Sequence, residues 1–142
     1  MSGSIYHEAI KSLAEAATGH GSLASPDGRA FVDNPLCGDN VEMQVEIADG
    51  RVTALAHRVR GCLLCRAAAS VIGKRAPGAR AVELDQIGAA VSAMLERQAP
   101  PPAAWPELEA FTPVHGHRSR YRCVELPFQA LAAALRAADS SA

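Results

Sequence analysis

Aromatic residues are scarce in this chain: three Phe, two Tyr and one Trp make up 4% of its 142 residues. Single-stranded nucleic acid is usually gripped by stacking bases on several exposed rings, so this composition argues against such a platform. A cationic excess is missing too. Lysine and arginine number 14 against 15 acidic residues, a formal net charge of −1, which offers a phosphate backbone little attraction. No nucleic-acid partner is expected. No apolar run reaches the ~18 residues that a membrane span needs. The opening Met1-Ser-Gly-Ser-Ile-Tyr-His-Glu8 lacks the charged and apolar regions of a signal peptide. The expectation is therefore a cytoplasmic protein with no membrane partner and with its thiols kept reduced. Also absent is a second Cys-x-x-Cys to match Cys62-Leu63-Leu64-Cys65, which a Cys₄ zinc ribbon would require. In a reducing compartment the four cysteines read as ligands or reactive thiols, with buried core filler as the plainer alternative.

What is present suits one globular domain spanning 1–142: 49% hydrophobic and 20% charged residues, enough to bury a core. Apolar spacing predicts an amphipathic helix from about Ser4 to Ala17, with Ile5, Ile10 and Leu13 inward, capped by Ser2 or Ser4 and stopped by Gly19 and Gly21. A polar loop with a solvated His20 follows, and then a short strand at Ala30-Phe31-Val32. Val41 to Ile47 alternates, with Val41, Met43, Val45 and Ile47 on one face and Glu42, Gln44 and Glu46 on the other. Asp49-Gly50 is a two-residue hairpin turn, and Val52 to Val59 is the returning strand. An antiparallel hairpin over about 41–59 is thus the firmest structural expectation. His57, within it, reads as a structural or surface residue. Gly61 breaks the strand and an alanine-rich helix begins at Cys62. Val82 to Gln98 predicts a further helix with Val82, Ile87, Val91, Met94 and Leu95 on its apolar face. Trp105 to Phe111 is a short helical turn anchored in the core, and Cys123 to Leu135 a C-terminal helix.

Three of the four cysteines fall at segment boundaries. Cys37 lies in the turn Asn34-Pro35-Leu36-Cys37-Gly38-Asp39, where proline and glycine force an irregular backbone beside a strand. Cys62 and Cys123 fall at helix starts, where unpaired N–H groups and the dipole favour thiolate. With Asp39 these three supply a tetrahedral Cys₃Asp set suited to Zn²⁺ or to an iron–sulfur cluster. Three thiolates and a carboxylate around Zn²⁺ leave a charge of about −2, which Arg118, Arg120 and Arg122 are placed to offset. A carboxylate grips zinc less firmly than a thiolate, so such a site should be exchangeable. Cys65, one turn beyond Cys62, reads as an accessory thiol that competes as a ligand or pairs with Cys62 on oxidation.

Taken together, Asn34-Pro-x-Cys-Gly-Asp39, Gly61-Cys-x-x-x-x-Ala-x-Ala-Ser70 and Arg120-x-x-Cys-x-x-Leu-x-x-x-Ala-Leu131 resemble the U-type iron–sulfur cluster assembly scaffolds, the IscU/SufU/NifU N-terminal family. The resemblance implies an α+β fold, a small antiparallel β-sheet packed against several α-helices, with the cysteines clustered at one exposed end. It implies a scaffold or sulfurtransferase-type carrier rather than a turnover enzyme. Such a protein receives persulfide sulfur from a cysteine desulfurase and supplies downstream Fe–S assembly or acceptor proteins. Arg122 directly before Cys123, where the housekeeping branch has histidine, together with Trp105 to Phe111, is similar to the SufU-like branch. That branch binds zinc through the three cysteines and the aspartate, and the likeness makes Cys37 the sulfur acceptor. As isolated, Zn²⁺ is the expected occupant, with a [2Fe–2S] or [4Fe–4S] cluster as the other. Cys65 and Arg66 depart from the family, which has small or apolar residues there. Two alternatives come from other classes: a zinc-stabilised structural module, and a thiol–disulfide redox protein using Cys62 and Cys65.

Overall fold

The structure, a computed structural model, describes residues 6–35 and 38–141. Asp49 and Gly50 both take positive φ, 54° and 75°. That pair of left-handed residues gives a type I′ turn, whose twist matches the strands it joins. The turn links β2 (Asp39–Ala48) to β3 (Arg51–Arg60), antiparallel, with Val41 opposite Val59 and Val45 opposite Leu55. β1 (Gly28–Asn34) pairs with the other edge of β2, Val32 against Val41, so the sheet runs β1-β2-β3. The hairpin is therefore as the alternation predicts, and β1 is longer than Ala30–Val32. Val41, Met43, Val45 and Val52 are fully buried beneath the helices, while Phe31 points outward.

Two positions in β2 depart from the expected burial. Gln44, expected outward, is buried because the 19–29 loop folds over it: Leu23 N–H donates to Gln44 Oε1 at 2.8 Å, and Gln44 Nε2 donates to Glu42 at 2.9 Å. Ile47 stays on the core face, opposite the buried Val52, but beside the turn it is only half-buried. The loop is held rather than merely solvated. His57 N–H donates to Gly19 O, Gly21 N–H donates to His57 O, and His57 Nε2–H donates to Thr18 O at 2.7 Å. His57 is thus a buried structural residue, and its burial pushes its pKa below the ordinary value.

The helices cover the inner face of the sheet, an α+β arrangement. α1 (Glu8–Ala16) starts later than the spacing predicts, after His7, and ends on Ala17 in the left-handed region at φ 46° rather than on Gly19. The proposed caps Ser2 and Ser4, and Ile5, lie outside the described residues. α2 (Leu63–Arg75) is buried from Leu64 to Ile72 except at Arg66, between α1, β3 and α4. α3 (Ala81–Arg97) buries Leu84, Ile87, Val91, Met94 and Leu95, but Val82 is exposed. At 100° per residue, position 82 falls opposite the stripe that those five residues form. The 3₁₀ segment Pro106–Gly116 extends the expected turn, and Leu108, Phe111 and Val114 recur at its three-residue period on the buried side. Glu107 anchors this segment to the end of α2, accepting from Arg75 at 2.8 and 2.7 Å and from Lys74 at 2.9 Å. A short 3₁₀ turn, Arg118–Arg120, then leads into α4 (Tyr121–Ser141), which begins two residues before Cys123 and packs on β1, β2, α2 and α3.

Candidate metal centre

Three distant stretches of chain meet at one end of the hairpin. β1 leaves the sheet at Asn34 opposite Asp39, and Gly38 N–H donates to Asn34 O at 2.8 Å to close the turn. Gly38 takes φ 77°, as the sequence anticipates for this glycine. Cys37, the expected sulfur acceptor and ligand, lies outside the described residues. Asp39 follows as the first residue of β2. Across from it, β3 ends at Arg60 opposite Asn40, and Gly61 turns the chain toward α2.

Asp39 is only 7% exposed, and its Oδ2 has no hydrogen-bond partner among the described residues. A carboxylate oxygen buried in that way costs several kcal/mol unless something positive or proton-donating meets it. Gly61 makes room for it: a Cβ there would stand 3.0 Å from Asp39 Cγ and 3.2 Å from each carboxylate oxygen. Cys62 is the N-cap of α2, partly exposed, while Cys123 sits in the first turn of α4 at 3% exposure. One carboxylate oxygen of Asp39 and the sulfurs of Cys62 and Cys123 lie within 4.8 Å of one another. Tetrahedral zinc with bonds of about 2.0–2.3 Å sets its donors about 3.3–3.8 Å apart, so modest side-chain rotation brings these three onto one ion. Two soft sulfurs and a buried hard oxygen lacking a partner among the described residues make a donor set that fits zinc.

The thiols are also set up electrostatically. Cys62 is held down to about 6 from an ordinary 9.0, chiefly by a hydrogen bond from the Cys123 thiol. Burial and the charge of Asp39 oppose this, while the Cys65 and Leu64 backbone amides at the helix start assist without closing a formal cap bond. Of the three arginines expected to offset the site's charge, Arg120 engages it. The neighbouring Tyr6 and the Cys123 sulfur, to which its guanidinium donates, both favour its charged form. Arg122 is exposed and its charge acts on Glu125, one turn along α4. Cys65 is fully buried and lies near Cys62 and Cys123, but it is not part of the ligand-atom group formed by Asp39, Cys62 and Cys123.

Two contributors escaped the sequence. Gly61 read only as a strand breaker, although its place directly before Cys62 was the available signal. Tyr6 gave none, because its approach to Arg120 depends on how α1 packs.

A family model described as NifU-like N terminal domain matches residues 5–104. No curated protein matches the chain. Among solved structures, a nitrogen-fixing NifU-like protein (N-terminal) from Brucella abortus is 34% identical, covers 97% of this chain and 96% of its own, and superposes with a TM-score of 0.92. A putative iron–sulfur cluster assembly scaffold protein for the SUF system from Fervidobacterium islandicum AW-1 shares the fold at 20% identity, covering 95% of this chain and 99% of its own, with a TM-score of 0.86.

Proposed function

This chain belongs to the NifU-like N-terminal domain family, and from that premise we propose that it is a scaffold for iron–sulfur cluster assembly that accepts persulfide sulfur from a cysteine desulfurase at a Cys₃Asp centre. The observation that carries the reading is the convergence of a buried Asp39 carboxylate, one oxygen of it lacking a partner among the described residues, with the Cys62 and Cys123 thiols. Cys37, on the turn next to Asp39, completes the donor set in this reading. When bound, zinc supplies the positive charge that keeps the thiols ionised. An iron–sulfur cluster at the same residues is cargo, passed on to downstream acceptor proteins.

Each residue has a role. The Cys37 thiolate attacks the outer sulfur of the desulfurase persulfide; the desulfurase cysteine leaves as thiolate, and the sulfur–sulfur bond passes to Cys37. Asp39 is the weakest donor of the four toward a soft ion, which keeps the site exchangeable. Arg120 tethers Cys123 and partly offsets the charge that the thiolates bring together. No helix among the described residues is long and apolar enough to cross a membrane, consistent with a partner met in solution.

The test is transfer from a cysteine desulfurase supplied with cysteine, read by intact-protein mass spectrometry. At early times the wild-type chain should carry one added sulfur atom, and Cys37→Ala should gain none while keeping its circular dichroism spectrum. Persulfide on Cys37→Ala at wild-type yield would remove Cys37 from the acceptor role. Metal content separates the occupants: about one zinc per chain without acid-labile sulfide marks the sulfur acceptor, and iron with matching sulfide marks a cluster scaffold.

A further inference from the structure

Cys62 and Cys65 share one helix start but have opposite surroundings. Cys62 caps α2 and is partly open to solvent, whereas Cys65, three residues on, has no exposed surface. Residues three apart on a helix stand over one another on the same face, about 5–6 Å between their Cβ atoms. A disulfide needs the Cβ atoms closer, about 3.5–4.5 Å apart; Cys62 sits at the N-cap, where the backbone is still extended (φ −70°, ψ 171°), and Cys-x-x-Cys across a helix start is the spacing at which such dithiols close. The Cys65 backbone amide already faces the Cys62 sulfur, so the two residues adjoin at the site. An incoming thiol in solution has no path to a sulfur with no exposed surface. A sulfur atom carried on Cys62 is the species that brings an electrophile next to it.

We propose that Cys65 is a resolving thiol that reduces sulfane sulfur held on Cys62 and releases it as sulfide. This rests on the reading that Cys37 accepts sulfane sulfur; the Cys62 thiolate takes it on by attacking the outer sulfur of the Cys37 persulfide, and Cys37 leaves as thiolate. The Cys65 thiol passes its proton to the outer sulfur of the Cys62 persulfide anion, and the resulting thiolate attacks Sγ, forming a Cys62–Cys65 bond. The bond between Sγ and the outer sulfur breaks, and the outer sulfur leaves with both electrons as hydrosulfide. Two thiol sulfurs are oxidised by one electron each and the sulfane sulfur is reduced by two, so one turnover needs no outside reductant. Hydrosulfide is a more acidic leaving group than the cysteine thiolate, which favours this direction. A second turnover requires a dithiol reductant to reopen the disulfide on the partly exposed Cys62 side. Iron–sulfur clusters contain sulfide, and persulfide transfer delivers sulfane sulfur; Cys62 and Cys65 together supply the two electrons that separate them.

The experiment uses the full chain, reduced, desalted and kept anaerobic, with glutathione persulfide as the sulfur donor. Sulfide is trapped with a bimane reagent, and cysteine states are read by peptide mass spectrometry. Wild type should release sulfide and accumulate a Cys62–Cys65 disulfide, while Cys65→Ser and Cys65→Ala should keep the persulfide on Cys62 and release at least about tenfold less sulfide. Thermal melting of both variants checks that they remain folded, and the two differ in polarity so that a buried hydroxyl alone does not decide the result. Persulfide stable on wild-type Cys62, equal sulfide from the variants, or a disulfide joining Cys62 to Cys37 or Cys123 overturns the proposal and leaves sulfur acceptance standing. No sulfane sulfur on any cysteine of the Cys65 variants, with neither sulfide nor disulfide from wild type, overturns both.

Discussion

Replacing Glu107 by glutamine removes a charge whose value the structure lets us bound. Its carboxylate takes two hydrogen bonds from Arg75 and lies 2.9 Å from Lys74, and only 15% of its side chain is exposed. The Arg75 hydrogen bonds, aided by Lys74, hold Glu107 down to about 2 from an ordinary 4.5. At about 1.4 kcal/mol per unit that shift has a ceiling of about 3 kcal/mol. Solvent reaches the donors, since Lys74 is 55% exposed and Arg75 34%, and screening lowers the expected loss at pH 7 to about 1–2 kcal/mol. Because the folded carboxylate has the lower pKa, its contribution is complete above about pH 4.5 and fades as pH falls toward 2. Urea unfolding of wild type and Glu107→Gln should therefore differ in midpoint at pH 7, and the gap should close progressively below pH 4.5. An equal gap at pH 7 and near pH 2.5 would show that the loss comes from packing and refute the electrostatic account. The site is involved too, because Glu107 fastens the 3₁₀ segment that leads to Cys123.

Two further outcomes bear on the centre itself. Gly61→Ala places a methyl group 3.0 Å from Asp39 Cγ at a residue whose φ is not in the left-handed region; zinc affinity should fall by about tenfold or more, as for shell residues generally, with little change in melting of the metal-free chain. Zinc competition against a chromophoric chelator measures this, and an unchanged affinity would mean that Asp39 is not held against Gly61. In metal-free protein, iodoacetamide should alkylate Cys62 with a midpoint near pH 6. Cys123→Ala removes the thiol that donates to Cys62 and should move that midpoint up toward the ordinary value; peptide mass spectrometry follows the rate, and an unmoved midpoint would assign the shift to the helix start instead.

What the sequence made legible was local. Asp49-Gly50 and the alternation around it need no distant information, and both strands form as that period demands. Cys62 as a helix start is equally local, because Gly61 ends one element and the alanine run begins another. The misses come from contacts made elsewhere in the chain. Gln44 is polar at an outward position, and it is buried because Leu23, twenty-one residues earlier, supplies its hydrogen bond. Arg118, Arg120 and Arg122 are indistinguishable as letters; packing of the turn before α4 directs Arg120 at Cys123. For Cys65, spacing gives its face but not its depth, and the fold supplies the depth: the side chain is fully buried.

The ligand geometry depends on a detail farther along the hairpin, at Glu46/Ile47. Next to the turn, Ala48 pairs with Arg51 and Ile47 with Val52; carried on unchanged, that register would set Asn40 against Val59 and Asp39 against Arg60. The bulge at Glu46/Ile47 moves β3 by one residue, so Asn40 meets Arg60 and Asp39 falls beside Gly61. A one-residue slip reverses the face of every side chain beyond it. Without the bulge, the long cationic side chain of Arg60 would stand where Gly61 now leaves room, and an Asp39–Arg60 ion pair would satisfy the carboxylate. The bulge thus keeps the arginine off the aspartate and presents the carboxylate to the thiols. That is the use to which bulges beside functional sites are commonly put, re-aiming one side chain while the rest of the ladder stays paired.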